Sequence, residues 1–130
     1  MLDRAKLAQC VQRFAKETDL LAVWVFGSAV SGSLREDSDV DFALYYKPGK
    51  QFDWSTFGEL AWDLEKILGR KADLGRLSPR NLIYAVQAIQ TGRLIYTADE
   101  PAAMALASRL QSLYLDLKQD RKVVEEAYCA

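Results

Sequence analysis

The sequence predicts a single α/β domain, spanning residues 1–130, with about four strands and a long C-terminal helix. Three observations lead to this prediction. A chain of 130 residues has the length of one domain. Short apolar runs alternate along it with longer segments of helical periodicity, which is typical of an α/β domain. Apolar residues make up 50% and charged residues 27% of the chain, as in folded globular proteins.

The first half of the chain contains one predicted helix and two predicted strands. Apolar residues in the segment 3–17 recur with the spacing of an amphipathic helix. Residues 20–26 are a continuous apolar run, which favours a strand buried on both faces. Residues 27–38 are small and polar and predict a loop with a short helix inside it. Residues 40–46 alternate in polarity, which predicts the second strand.

The second half begins with a predicted helix at residues 54–68, with a capping box from Thr56 to Glu59 near its start. Gly69 follows the last periodic residue and predicts the end of this helix. Residues 71–77 then predict a third short strand.

Three more elements complete the predicted order. Ser78 precedes a proline and is expected to cap a helix that runs to Gln90. Residues 93–97 resemble a fourth strand, and a final helix is expected over residues 101–128. Leucines recur along this last helix at spacings of four, three and four, at Leu106, Leu110, Leu113 and Leu117. Two interpretations of the helix remain open. Either the leucines pack on the sheet and the charged end is solvated, or the charged end after Leu117 docks on a partner.

Composition excludes several classes of site. The chain has no histidine, which excludes Ser-His-Asp and Cys-His hydrolases and histidine-ligated metals. Its two cysteines, Cys10 and Cys129, lack metal-ligand spacing and are expected to be reduced thiols of a cytoplasmic protein. No signal peptide or membrane-spanning run is evident. The net charge of −1 does not predict direct nucleic-acid binding.

Two features of the loop and the second strand point to a phosphate-handling site. Asp39 and Asp41 are two residues apart on a predicted strand, so both carboxylates should leave the same face. Like charges held together are unfavourable unless a cation lies between them, and Mg²⁺ prefers carboxylate oxygens. Gly27 and Ser28 directly follow the buried strand, where glycine lets the backbone approach a ligand and N–H and hydroxyl groups can hold phosphate oxygens. Together these parts predict a site for a nucleoside triphosphate with its metal ions.

The same residues resemble a known family. Gly27-Ser28, ten further residues and then Asp39-Val40-Asp41 resemble the motif of the polymerase-β-like nucleotidyltransferase superfamily. The small size is similar to that of the minimal nucleotidyltransferase family, whose members occur as MntA-type antitoxins beside HEPN-domain toxins. The resemblance implies the polymerase-β-like fold, a small mixed sheet flanked by helices.

The resemblance also implies roles for individual residues. Asp39, Asp41 and a third carboxylate, matched here by Asp73, would ligate two Mg²⁺ ions, while Gly27 and Ser28 would bind the nucleotide. Asp73 would activate an acceptor hydroxyl that attacks the α-phosphorus of ATP. The family usually continues after this carboxylate with an apolar-acidic pattern, whereas Gly75 and Arg76 follow Asp73 in this chain.

The activity implied by the resemblance is transfer of AMP from ATP to a hydroxyl, expected on tyrosine, of a HEPN-type ribonuclease toxin. Two alternatives remain open at this point. One is a non-catalytic antitoxin that only binds its partner, although a pure binder has no need to keep like charges together. The other is transfer to a small molecule such as an aminoglycoside, which is weakened because such enzymes usually carry a further helical domain.

Five other side chains are assigned structural roles. Trp54 and Trp62 could stack on a base, but we expect them to pack their helix against the sheet. Asp63 and Glu65 are expected on a solvated helix face, and Arg35 on an exposed loop.

Overall fold

The structure, a computed structural model, describes residues 3–32, 35, 38–49 and 53–129. Of the predicted loop over residues 27–38, four residues (33, 34, 36 and 37) lie outside the described residues. The elements are α1 (Arg4–Phe14), β1 (Leu20–Phe26), α2 (Ser28–Ser31), β2 (Val40–Tyr46), α3 (Trp54–Leu68), β3 (Ala72–Arg76), a 3₁₀ turn (Pro79–Asn81), α4 (Leu82–Thr91), β4 (Arg93–Thr97) and α5 (Glu100–Cys129).

The four strands form one mixed sheet in the order β3-β2-β1-β4. Strand β1 pairs antiparallel with both β2 and β4, whereas β2 and β3 are parallel. A parallel pair needs a crossover connection, and α3 supplies it between β2 and β3. The predicted mixed sheet of four strands with a long C-terminal helix is confirmed.

Each face of the sheet carries its own apolar core. On one face, side chains of β1 and β2 pack with α1 and α3 around Phe14, Phe42, Leu60 and Leu64. On the other face, α4 and α5 pack around Trp24, Ala43, Val86 and Leu110. Alternate residues of β2 therefore enter different cores, as the period of two in a strand requires. The strand β1 is buried on both faces, as predicted.

One local prediction about the helices is wrong, and another is confirmed only in part. Helix α3 is capped by Asp53, whose Oδ1 accepts a hydrogen bond of 2.9 Å from Ser55 N, and not by the predicted Thr56–Glu59 box. An aspartate at this position satisfies a free N–H of the first turn, so the threonine is not needed as a cap. Ser78 is an N-cap as predicted, since its Oγ accepts a hydrogen bond of 3.2 Å from Arg80 N, but the turn that it caps is 3₁₀ and α4 begins only at Leu82.

The predicted packing of the two tryptophans of α3 is also wrong. Trp54 is 76% exposed and Trp62 is 60% exposed. The helix buries Leu60, Leu64 and Leu68 instead. A 3.6-residue period places Trp62 on the opposite side of the helix. Trp54 lies in the first turn, where its ring packs edge-to-face on Phe57. Lys66 Nζ covers the Trp62 ring at 5.0 Å from its centroid.

Asp63 and Glu65 have defined partners and are not simply solvated. Asp63 Oδ2 accepts a hydrogen bond of 2.8 Å from Arg13 Nε, which joins α3 to α1. Glu65 Oε1 accepts one of 3.2 Å from Ala72 N at the start of β3. Both carboxylates therefore fix α3 against its neighbours.

Helix α5 is buried only in its first half. Ala103, Leu106 and Leu110 are buried against α4 and the sheet, Leu113 and Leu117 are half-buried, and the side chains of residues 118–127 are exposed. The predicted leucine stripe therefore packs on the domain, with contacts that weaken toward Leu117. Among the described residues, no helix combines the length and the apolar character needed to cross a membrane.

Candidate functional site

Two of the predicted carboxylates lie side by side on neighbouring parallel strands. Asp41 of β2 and Asp73 of β3 are direct partners in the register of the sheet, and their side chains are close enough for a hydrogen bond when one of the two is protonated. Asp73 is exposed and Asp41 is half-buried, so the pair opens to solvent at the edge of the α4–α5 core. The crossover through α3 is what brings together two residues far apart in the sequence.

The predicted loop glycine lies directly against this pair. Gly27 follows β1 with φ 74° and ψ −144°, a backbone conformation close to one that glycine alone adopts readily. A Cβ built on Gly27 would collide with Asp41 Oδ2. The loop backbone therefore passes over the Asp41 carboxylate at a distance that no side chain at position 27 would allow.

The other two predicted residues flank this contact. Ser28 is half-buried at the first position of α2, next to Gly27. Asp39 is exposed one residue before β2, and its charge affects Asp41. Arg70 holds the chain that leads to Asp39, because its Nη1 donates a hydrogen bond of 2.7 Å to the carbonyl oxygen of Arg35.

The surroundings of Asp41 disfavour its ionised form. Burial, followed by the charges of Asp73 and Asp39 and the hydrogen bond to Asp73, raises the pKa of Asp41 above its ordinary value. Each of these causes disfavours the ionised carboxylate. A bound cation would reverse this effect, and oxygen donors of this kind suit a hard divalent ion.

The carboxylate oxygens are therefore suitable ligands for Mg²⁺, although the described residues do not by themselves form a complete set of metal ligands. Within the described ranges, no group of three or more His, Cys, Asp or Glu side chains is arranged to hold a metal ion. Asp41 and Asp73 are in contact, whereas Asp39 is near enough to act through its charge. Phosphate oxygens and water would have to supply further ligands.

Tyr84 is a residue of the site that the sequence analysis did not identify. Its ring packs edge-to-face on Phe26 with 5.7 Å between the centroids, and a Cβ built on Gly75 would collide with its Oη. Burial, together with the charges of Asp73 and Asp41, raises the pKa of Tyr84 to about 12. The sequence signal for this contact is Gly75, which departs from the family's apolar-acidic pattern after Asp73, because a larger residue at this position would exclude the phenol.

The α3 tryptophans lie away from the carboxylates, and the arginines of β3 and β4 lie far apart. Trp54 and Trp62 belong to α3, on the face of the sheet opposite to the core beside Asp41. Arg76 and Arg93 are on β3 and β4, the two opposite edges of the sheet, so they do not line one groove.

The sequence matches a known protein family. The family model "Polymerase beta, Nucleotidyltransferase" matches residues 8–101, which include every residue of the site described above. Among curated protein sequences, none matches this chain significantly.

Comparison with solved structures finds chains of toxin–antitoxin complexes. A chain of a toxin–antitoxin structure with AMP-PNP superposes with a TM-score of 0.72 at 21% identity, covering 99% of this chain and 100% of that one. A chain of the complex between the tri-AMPylated HEPN toxin of Shewanella oneidensis and its MNT antitoxin gives 0.73 at 19% identity, covering 98% of both. A chain of the MntA-HepT toxin–antitoxin gives 0.70 at 18%, covering 98% and 100%. At these identities the likeness establishes a common fold over the full length.

Proposed function

Since the chain belongs to the polymerase beta nucleotidyltransferase family, we propose that it transfers AMP from ATP to a tyrosine hydroxyl of a HEPN-type toxin and neutralises that toxin. The observation that carries the proposal is the contact of Asp41 with Asp73 beneath the Gly27 backbone. Such a cluster lowers stability in the free protein, which is expected of a binding site and not of a purely structural surface. The proposal places the reaction in the cytoplasm, where ATP and cellular RNA are present.

The solved structures support the choice of donor and acceptor. One similar chain comes from a complex that holds AMP-PNP, an ATP analogue, and another from a complex whose HEPN toxin carries AMP groups. Both likenesses extend over 98% or more of this chain, including α5. We therefore propose a HEPN toxin as partner, ATP as nucleotide and the toxin as acceptor.

We assign each site residue one task. Gly27 lets the loop backbone approach the triphosphate, and the Ser28 hydroxyl binds its outer phosphates. Asp39 and Asp41 hold the metal-bound nucleotide, with Asp73 completing the donor set and facing the acceptor. Two Mg²⁺ ions, when bound, would neutralise the charge that develops on the phosphates and on the attacking oxygen.

The chemical step is a displacement at the α-phosphorus. The acceptor hydroxyl oxygen forms a bond to that phosphorus while the bond to the bridging oxygen of pyrophosphate breaks. The hydroxyl proton passes to the Asp73 carboxylate, and pyrophosphate leaves with the electron pair of the broken bond. The chain needs no histidine for this reaction because positioning and charge neutralisation supply most of the catalysis.

Intact-mass spectrometry of a separately expressed HEPN toxin tests the proposal. The toxin purified without this protein is incubated with it, ATP and Mg²⁺, and each transferred AMP adds the mass of one adenylyl group. The Asp39→Asn protein is the matched negative control, because it keeps the fold and the partner surface. A toxin that is inhibited without any gain in mass would identify the protein as a non-catalytic antitoxin and would refute the proposed transfer.

Magnesium dependence is tested separately by calorimetry with ATP. Without a divalent cation the three carboxylates face a polyanion, so we expect ATP to bind weakly in EDTA and more tightly with Mg²⁺. Equal affinity in both buffers would place the nucleotide away from Asp39, Asp41 and Asp73.

A further inference from the structure

The hydroxyl of Tyr84 occupies the space that a side chain at position 75 would fill. A Cβ built on Gly75 would overlap Tyr84 Oη. Gly75 and Asp73 are two residues apart on β3, so their side-chain directions share one face of the sheet. Tyr84 Oη is therefore the neighbour of the Asp73 carboxylate along the strand.

The ring of Tyr84 is held in this position by the second core. It contacts Phe26 at 5.7 Å between centroids with the planes at 79°, and the next two residues of α4, Ala85 and Val86, are buried. Phe26 is the register partner of Asp41. The phenol is thus fixed from the β1 side while its hydroxyl reaches the β3 side, next to the carboxylate pair.

The hydroxyl is available for a contact in the loaded site. Tyr84 is half-buried, and its hydroxyl makes no hydrogen bond to another residue that the structure describes. A phenol can donate one hydrogen bond, and a bond to a carboxylate is stronger than one between neutral groups. The nearest such acceptor along the strand is Asp73.

We propose that Tyr84 is a positioning residue for the acceptor half of the site, whose hydroxyl donates a hydrogen bond to Asp73 during transfer. One Asp73 oxygen is then held by the phenol, and the other is directed at the acceptor hydroxyl whose proton it takes. The inference rests on the proposed function. It also explains the glycine at position 75, because the absence of a side chain there leaves room for the phenol beside Asp73.

The test removes only the hydroxyl. Tyr84→Phe keeps the ring on Phe26, so we expect unchanged stability, an unchanged KM for ATP and a kcat for toxin modification that falls about ten- to a hundredfold. Tyr96→Phe is the matched control, because Tyr96 is a half-buried phenol of the opposite core and its loss should leave kcat unchanged. A kcat of Tyr84→Phe equal to that of the unmodified protein would overturn the proposal, as would a loss shared with Tyr96→Phe.

Intact mass and a stability cycle complete the experiment. An adenylyl group found on Tyr84 itself would make it an acceptor and would also overturn the positioning role. Gly75→Ala should destabilise the protein less in a Tyr84→Leu background than alone, since the shorter side chain removes the collision. Absence of this coupling would refute the contact between Tyr84 and Gly75, whether or not the unmodified protein transfers AMP. Absence of AMP transfer by the unmodified protein would count against the proposed function.

Discussion

Replacing Gly27 by alanine should destabilise the protein and distort the site at once. A residue with a side chain at φ 74° and ψ −144° costs about 1–3 kcal/mol. The new Cβ also collides with Asp41 Oδ2, and moving that side chain off its rotamer costs about 0.5–1.5 kcal/mol. We therefore expect the free energy of unfolding, measured by urea denaturation, to fall by about 1.5–4.5 kcal/mol.

Gly32→Ala provides the matched control. Gly32 also has a positive φ of 83°, but a Cβ there meets no described atom within 4 Å, so only the backbone cost of about 1–2 kcal/mol applies. In an Asp41→Ala background the collision is absent, and Gly27→Ala should cost about 0.5–1.5 kcal/mol less than in the unmodified protein. If Gly27→Ala is no more destabilising than Gly32→Ala, and the cycle shows no coupling, the close approach of the loop to Asp41 is refuted.

Three further predictions concern the carboxylates and α5. Asp41→Asn should lower the rate of transfer more than about a hundredfold. Because the pKa of Asp41 is raised in the folded state, the unmodified protein loses stability as pH rises through that folded-state pKa. Urea titrations should therefore show the variant equally or more stable at neutral pH, with no advantage below the ordinary carboxyl pKa. Asp73→Asn should lower kcat about a hundredfold or more, while the Kd for Mg-ATP, measured by calorimetry, should rise much less than kcat falls. Unchanged turnover would remove Asp73 from the site. Deleting residues 119–130, beyond the buried part of α5, should leave the urea midpoint nearly unchanged but slow toxin modification about tenfold or more; a full rate would show that this end of α5 is only solvated surface.

The regular elements follow from the sequence because their signals are local. The apolar run 20–26, the alternation over 40–46 and the periodicity over 54–68 each match the observed element residue for residue. Capping was less predictable: both Asp53 and Thr56 suit an N-cap, and the choice depends on how the chain enters the helix. The packing predicted for the α3 tryptophans was wrong because α3 carries more apolar residues than one face can bury, and Leu60, Leu64 and Leu68 occupy the buried face.

The site was predictable to a different degree for each residue. A motif placed Gly27, Ser28, Asp39 and Asp41, but the contact between Gly27 and Asp41 depends on the register of β1 with β2. Tyr84 carries no signal of its own, because tyrosine on an amphipathic helix is ordinary core composition. Only the three-dimensional pairing of α4 with β3 brings its hydroxyl to Gly75.

The parallel pairing of β2 with β3 also has a consequence for the order of folding. The β1–β2 hairpin can form without bringing the carboxylates together, whereas Asp41 meets Asp73 only when the crossover through α3 has closed. The part of the electrostatic penalty that comes from Asp73 therefore falls on the docking of β3 and not on the hairpin. A ligand that neutralises the pair should selectively slow local opening of this edge, so hydrogen exchange in β3 would respond to Mg-ATP more strongly than exchange at the β1–β4 edge.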